Sequence, residues 1–302
     1  MKGPDLSIII ITYNNSKLLK DCIQSVASSR GGLALETIVT DNGSHDDTEQ
    51  MVKMQFPEVR LIRNEGNLGF ARANNRGIAE SRGRYVMLLN DDTRIHAGAL
   101  ERMVEFMDSN PSAGACGPKL LNTDGTPQRQ SGLLSLPFWR SDKPKEAGFV
   151  MGACLMVRRE AIDKVGTLDE NLFFYNEDMD WCRRIRSAGY KVYFLPGAEV
   201  THFGGYSTRR SFNRRMFVEG FRGGLYFCRK HYGPLAFQAY RLILVLLFPL
   251  GIIGLTITAP FRRFREYAEK LKAYFDIFRI TIFGPIEYPW NVNGQIPKPD
   301  DQ

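Results

Sequence analysis

The first 108 residues switch four times from a strand-like run to a helix-like one. Leu6–Thr12 leads into a helix from about Ser16 and Leu35–Thr40 into one from about Asp46. Val59–Arg63 leads into Gly69–Ser81, and Arg84–Leu89 into Ala97–Asp108. Four β-then-α units in succession predict an α/β layer on a mostly parallel central sheet with helices on both faces. In such sheets ligands gather at the carboxyl ends of the strands. Thr12-Tyr13-Asn14, Asp41-Asn42-Gly43-Ser44 and Asn90-Asp91-Asp92 all stand at such ends. A chain of 302 residues has room for one large domain of this kind and an appendage.

The stretch MLLNDDTR, residues 87–94, drives a buried-looking strand straight into two adjacent carboxylates. Side by side and away from water they repel each other unless a cation or several donors sit between them. Their hard oxygens suit Mg²⁺ or Mn²⁺, which can bridge nucleotide phosphates; the plainer reading is a cap for the helix near Ala97. Asp41 can accept hydrogen bonds from a nucleobase imide or a ribose while Asp46 caps the next helix. In NLGFARANNRG, residues 67–77, backbone N–H groups and Arg72 can face a diphosphate. The Gly-x-Gly-x-x-Gly of a dinucleotide fold is absent, which argues against a dehydrogenase. In FFYNEDMDWCRR, residues 173–184, Glu177, Asp178 and Asp180 open a helix, and one of them is a candidate general base. The aromatic rings of Tyr175 and Trp181 can exclude water there and stack on a sugar. His202, before a Gly-Gly turn, is a candidate third metal ligand.

Residues 122–147 have no clear period and read as a loop excursion. Beyond them Phe149–Val157 reads as a strand, Glu177–Ala188 as a helix, Lys191–Leu195 as a strand and Phe212–His231 as a helix. The 18-residue run LILVLLFPLGIIGLTITA, residues 242–259, carries no charge and is interrupted by Pro249, Gly251 and Gly254. A basic amphipathic helix over Phe261–Ile282 follows, and the tail after Pro289 is expected to be mobile. Net charge is +7, and residues 201–302 alone carry +8 against −1 for the rest. Arg229, Lys230 and Arg241 precede the apolar run and Arg262, Arg263 and Arg265 follow it. A single span would export one basic cluster, so a broken, re-entrant or in-plane helix at an anionic membrane surface is expected, with a buried core or dimer helix as the plainer reading. Nucleic acid is not expected as a partner. Cys22, Cys116, Cys154, Cys182 and Cys228 lack metal-ligand spacing and read as reduced thiols of a cytosolic protein. MKGPDLSIIIITY reads as a strand, not a signal peptide.

Together ITYNN, DNGS, GNLGFARANN, LLNDD, NEDMDW and HFGG resemble, over residues 6–230, the inverting glycosyltransferases of family 2 with the GT-A fold. The chain is most similar to bacterial rhamnosyltransferase-like enzymes of surface polysaccharide assembly. The resemblance implies a catalytic domain over residues 1–232 and a membrane-associating segment over residues 233–302. It implies that Thr12, Tyr13 and Asp41 hold the base and ribose of a nucleoside-diphosphate sugar, that Asp91 and Asp92 meet the metal and the donor's diphosphate with Asp92 the direct ligand, and that His202 completes the binding of Mn²⁺ or Mg²⁺. Asn67 and Arg72, from the reading of residues 67–77, are further candidate nucleotide contacts. Asp178 becomes the catalytic base, supported by Glu177 and Trp181. The acceptor is then a glycan, free or carried on polyprenyl diphosphate, at the inner face of the cell membrane. Where the acidic motif of the family can carry a third Asp, this chain has Asn90. Two rival readings are a nucleotidyltransferase, which needs a basic phosphate loop where this chain reads TYNNSKLLK, and a nonenzymatic membrane-associated carbohydrate-binding protein.

Overall fold

The computed structural model of the chain describes residues 3–130, 137–204, 212–257 and 264–284. Arg262, Arg263, the end of the apolar run at 258–259 and the tail after Pro289 lie outside the described residues, as does the side chain of Arg265.

The alternating half of the sequence folds as expected. Strands β1 (Leu6–Thr12), β2 (Leu35–Asp41), β3 (Arg60–Arg63) and β4 (Tyr85–Asn90) lie parallel in the order β3-β2-β1-β4. Helices α1 (Ser16–Ser28), α2 (Thr48–Gln55) and α3 (Gly69–Glu80) connect them. Strands β1 and β4 are buried on both faces: Ile8, Ile10, Met87 and Leu89 join one apolar cluster with α1, whereas Ile9, Val86 and Leu88 join another with Ile78 of α3. That two-sided burial explains why these two read as nearly unbroken apolar runs.

Past β4 the chain departs from simple alternation. A tight turn enters β5 (Thr93–Ile95), followed by α4 (Ala99–Ser109), β6 (Ala113–Leu121), the short β7 (Lys145–Glu146) and β8 (Cys154–Arg158). Helices α5 (Arg159–Val165) and α6 (Glu177–Ser187) and the long β9 (Lys191–His202) complete this part. Beyond β4 the sheet continues β8-β6-β9-β5, with β7 on β9. Strand β8 runs antiparallel between β4 and β6, and β5 runs antiparallel to β9. Strand β6, with the sequence AGACGPKLL, was not foreseen because it lacks β-branched residues. Packing demands that poverty: a Cβ at Gly114 would sit 2.6 Å from Tyr190, and one at Gly117 2.7 Å from Val150. Strand β9 is also seven residues longer than its apolar core suggested, crossing Pro196 and Gly197 with a register shift against β6.

The chain divides into two compact units, residues 1–169 with 178–204, and residues 170–177 with 205–302. In the second, α7 (Arg214–Ile257) is broken at Gly233, where φ is 79° and Pro234 follows, so the expected helix and the apolar run form one broken helix. Helix α8 (Phe264–Phe283) packs on α7 through Val218, Ala273 and Ile277. Gly251 lets the two helices approach, since a Cβ there would lie 2.3 Å from Tyr274. The apolar run is not a buried core helix: Leu242, Leu246, Leu250 and Ile253 are all more than half exposed.

One sequence expectation fails in the first unit. Trp181 has no exposed surface, and its indole N–H donates to the Gly166 carbonyl at 2.8 Å. A ring closed off in this way cannot stack on a sugar, so Trp181 is a core residue that fixes α6. Its neighbour Asp180 is equally buried and accepts from Arg184 Nε at 2.8 Å, which makes it a structural acid. Trp181→Phe should therefore cost about 2 kcal/mol through the stranded carbonyl, seen as a fall in Tm of about 4–8 °C by circular dichroism. An unchanged Tm would show that the indole does not anchor the helix.

Candidate active site

The parallel register brings the strand ends together. Thr12 pairs with Asp41 across β1 and β2, and Ile11 pairs with Asn90 across β1 and β4. Thr12 Oγ1 donates to Asp91 Oδ2 at 2.7 Å, and the Asn42 N–H donates to the Thr12 carbonyl at 2.9 Å. Tyr13 follows with 43% of its surface exposed, free to lie over a ligand at this edge.

Asp41 is completely buried. Its Oδ1 accepts from the Ser44 N–H at 2.9 Å and from Ser44 Oγ at 2.6 Å, and its Oδ2 has no hydrogen-bond partner. A buried carboxylate oxygen left without a donor is costly, and an imide N–H or a ribose hydroxyl is the type of group that would satisfy it. The surrounding loops are held by buried asparagines: Asn64 Nδ2 donates to Asn42 Oδ1 at 2.8 Å, and Asn42 Nδ2 donates to the Gly69 carbonyl at 3.2 Å. Asn67 Oδ1 accepts from the Gly69 N–H at 3.0 Å, so Asn67 shapes the start of α3, and Arg72 lies in the first turn of that helix. Gly43, with φ 80°, cannot be replaced, because a Cβ there would meet the Gly66 backbone at 2.9 Å. The N-cap of α2 is Asp47 and not Asp46, which stands one residue earlier and accepts from the N–H of Thr48, the first residue of α2, at 3.2 Å.

The acid pair is set by the turn between β4 and β5. Thr93 Oγ1 closes it by donating to the Asn90 carbonyl at 2.7 Å. The antiparallel register of β5 with β9 then places Thr93 opposite His202, and the Phe203 N–H donates to the Asp92 carbonyl at 2.9 Å. His202 Nε2 consequently lies 3.3 Å from Asp92 Oδ1 and 3.4 Å from Asn90 Nδ2. Burial pushes the Asp91 carboxyl up to about 7, the Thr12 hydroxyl opposing the rise and the Asp92 charge adding to it. Among the described residues no group of three His, Cys, Asp or Glu side chains converges on one point. An aspartate oxygen and an imidazole nitrogen facing each other nonetheless fit a divalent cation that takes its remaining ligands from phosphate oxygens and water. The sequence drew attention to His202 and Asp92 but not to Gln128, whose Oε1 lies 2.7 Å from His202 Nδ1. A lone glutamine in an aperiodic loop carries no signal that could have singled it out.

Asp178 is tied to the same sheet edge. Its Oδ2 accepts from the Gly152 N–H at 3.0 Å, and the next residue, Ala153, accepts from the Asn90 N–H through its carbonyl at 3.0 Å. Burial raises the Asp178 carboxyl above the usual carboxylate range, which favours proton acceptance. Just before α6, Tyr175 and Asn176 adopt φ of 71° and 70°, a conformation rare for non-glycine residues. Tyr175 is 45% exposed, unlike Trp181, while Glu177 is buried.

Comparison with known proteins gives the family and the fold. The N-acetylglucosaminyl-diphospho-decaprenol L-rhamnosyltransferase of Mycobacterium tuberculosis is 30% identical over 240 residues, covering 68% of this chain and 78% of that protein. The low-salt glycan biosynthesis hexosyltransferase Agl10 of Haloferax volcanii is 27% identical over 60% of this chain and 62% of its own length. Among solved structures, the mannosyltransferase PcManGT of Pyrobaculum calidifontis, in complex with GDP-Man and Mn²⁺, superposes with a TM-score of 0.58 at 16% identity, over 93% of this chain and 86% of that one. TarS 1–349 of S. aureus, in complex with UDP-GlcNAc, gives 0.58 at 17% identity over 92% and 81%. The fold is thus that of the GT-A enzymes. Residues 7–166, which hold Thr12, Asp41 and the Asp91–Asp92 pair, match the description of glycosyl transferase family 2, and the chain belongs to that family.

Proposed function

We propose that this glycosyltransferase moves a sugar, with rhamnose the first candidate, from a nucleoside-diphosphate donor to a polyprenyl-diphosphate-linked glycan, with inversion and with Mn²⁺ or Mg²⁺, in cell-envelope polysaccharide synthesis. The observation that carries the reading is the convergence at one sheet edge of the unsatisfied Asp41 oxygen, the Asp92–His202 pair and Asp178. In this reading Asp41 Oδ2 accepts from the nucleobase or ribose, Thr12 and Asp91 line the nucleotide's path, and Tyr13 covers it. Asn67 and Arg72, at the start of α3, serve the donor side through the loop they shape and the charge they carry. Asp92 Oδ1 and His202 Nε2 would hold the cation. Once bound, it would supply Lewis-acid stabilisation of the diphosphate leaving group, a contribution of several kcal/mol. Asp178 takes the proton of the acceptor hydroxyl as that oxygen attacks the anomeric carbon, and the bond to the diphosphate oxygen breaks on the opposite side. A single in-line displacement of this kind inverts the configuration at the anomeric carbon. Glu177, buried beside Asp178 in sequence, supports the start of α6.

The acceptor and location are argued from the second unit and from the relatives. The mycobacterial relative's name specifies a decaprenol-diphosphate-linked sugar, and α7 is long and apolar enough to cross a membrane, with its apolar residues exposed. A helix broken at Gly233 and carrying a second proline at Pro249 suits in-plane or re-entrant seating at the cytoplasmic face. Neither the nucleotidyltransferase nor the nonenzymatic binding protein finds support among the comparisons.

Asp178→Asn should keep donor binding, since an amide oxygen still accepts from Gly152, yet lose transfer by about 100-fold or more. Turnover close to that of the native chain would remove Asp178 from the role of base. Treatment with EDTA should stop turnover and Mn²⁺ should restore it, and Asp92→Ala should weaken Mn²⁺ binding by calorimetry. Turnover indifferent to EDTA would end the metal reading. Changing the exposed Leu242, Leu246, Leu250 and Ile253 together to Gln should move the protein from the floating to the aqueous fraction with anionic vesicles. Native protein that stays aqueous would refute the anchoring.

A further inference from the structure

We infer that Gln128 fixes the tautomer of His202 and is thereby a positioning residue for the Asp92–His202 pair, an inference that rests on the metal reading above only for its consequence. The argument begins in the hairpin that follows β6. Within NTDGTPQ the Asn122 N–H donates to the Thr126 carbonyl at 2.8 Å and the Gly125 N–H to the Asn122 carbonyl at 3.0 Å, with Gly125 at φ 81°. The chain turns back, and the Gln128 N–H reaches the Leu120 carbonyl at 2.8 Å. Because Leu120 and Leu121 pair with Val200 and Thr201 of β9, the turn delivers Gln128 beside His202.

The hydrogen bonds in this hairpin can run in one direction only. Asp124 Oδ1 accepts from the Thr126 N–H at 2.9 Å and from the Thr126 hydroxyl at 2.6 Å, and these bonds hold its carboxyl below the usual range. An ionised carboxylate has no proton to give, so Thr126 Oγ1 has spent its hydrogen and can only accept, as it does from Asn122 Nδ2 at 3.0 Å. Asn122 therefore turns its Oδ1 toward Gln128, where it accepts from Nε2 at 3.3 Å. The same Gln128 Nε2 faces the His202 carbonyl at 3.5 Å, a second acceptor that forbids the flipped amide. Gln128 Oε1 is then the atom 2.7 Å from His202 Nδ1, and Nδ1 must carry the hydrogen.

The consequence falls on the other nitrogen. With the proton on Nδ1, the neutral ring turns an Nε2 lone pair toward Asp92 Oδ1 at 3.3 Å, alongside the Asn90 amide. Two electron-rich atoms at that distance repel, and a cation placed between them converts the repulsion into coordination. Without Gln128 the proton would move to Nε2 and be donated to Asp92, and the pair would satisfy itself. The glutamine thus keeps the pair open for a cation.

The test uses the full-length chain with ¹⁵N-labelled histidine, free of metal, at about pH 8. The chain has four histidines, and the His202 signals are those lost in His202→Asn. Two-bond ¹H–¹⁵N spectra should show Nδ1 protonated in the native chain and in Gln128→Glu, which keeps an acceptor. In Gln128→Met, which keeps the length but loses it, the proton should sit on Nε2. Mn²⁺ titration followed by electron paramagnetic resonance should show affinity about 10–100-fold weaker in Gln128→Met and retained in Gln128→Glu. An Nε2–H tautomer in the native chain, or a tautomer unmoved by Gln128→Met, overturns the inference. If the tautomer follows residue 128 but the native chain takes up no Mn²⁺, Gln128 keeps its role and the metal reading falls.

Discussion

The parallel hydrogen-bonded register of β1 with β2 and β4 is the constraint on which the rest of the structure depends. Each of these strands carries a buried apolar stretch and ends on a polar residue, and the three polar ends fall within one residue of the same level of the sheet. Thr12, Asp41 and Asn90 become neighbours because the ladder leaves them no other place. Slipping β2 by one residue would turn Asp41 into the opposite layer and take Val39 out of the cluster it shares with Ile8 and Ile10, so the packing that stabilises the sheet also fixes the site.

Electrostatics at that edge is arranged rather than neutralised. Adjacent buried acids are unfavourable, and the chain answers at Asp91 with the Thr12 hydroxyl while Asp92 Oδ1 is left facing His202 Nε2. Around them the buried asparagines are tied to backbone and to one another, so that the loops are rigid while Asp41 retains one unsatisfied oxygen. A site whose protein groups bond one another in this way is preorganised, and the cost of ordering its loops is met in folding and not in binding.

The C-terminal unit obeys different rules. Helices α7 and α8 bury a small aromatic and aliphatic cluster between them yet leave a row of leucines and isoleucines in the open. Arg241 donates to the Thr281 and Ile282 carbonyls and so satisfies the end of α8 with a charged side chain. An exposed apolar row of this extent is larger than a surface in contact with water alone ordinarily carries, and it is the feature on which the anchoring proposed above rests.

The sequence by itself determined the four β-then-α units, the strand ends at which the polar residues cluster, and the acids at 91, 92 and 178, because apolar runs and turn residues act locally and their spacing survives in one dimension. It also carried the family, since Thr12, Asp41 and the acid pair stand in order along the chain. Tertiary structure alone decided the rest. Strand β6 escaped notice because its small residues answer to Tyr190 and Val150, which are far away in sequence. Trp181 and Asp180 looked like site residues by proximity to Asp178, but contacts distant in sequence or one turn on close them off, the Gly166 carbonyl for the indole and Arg184 for the carboxylate. The partnership of Gln128 with His202 joins residues 74 positions apart through the pairing of β6 with β9, and no local pattern can encode a contact that only a sheet creates.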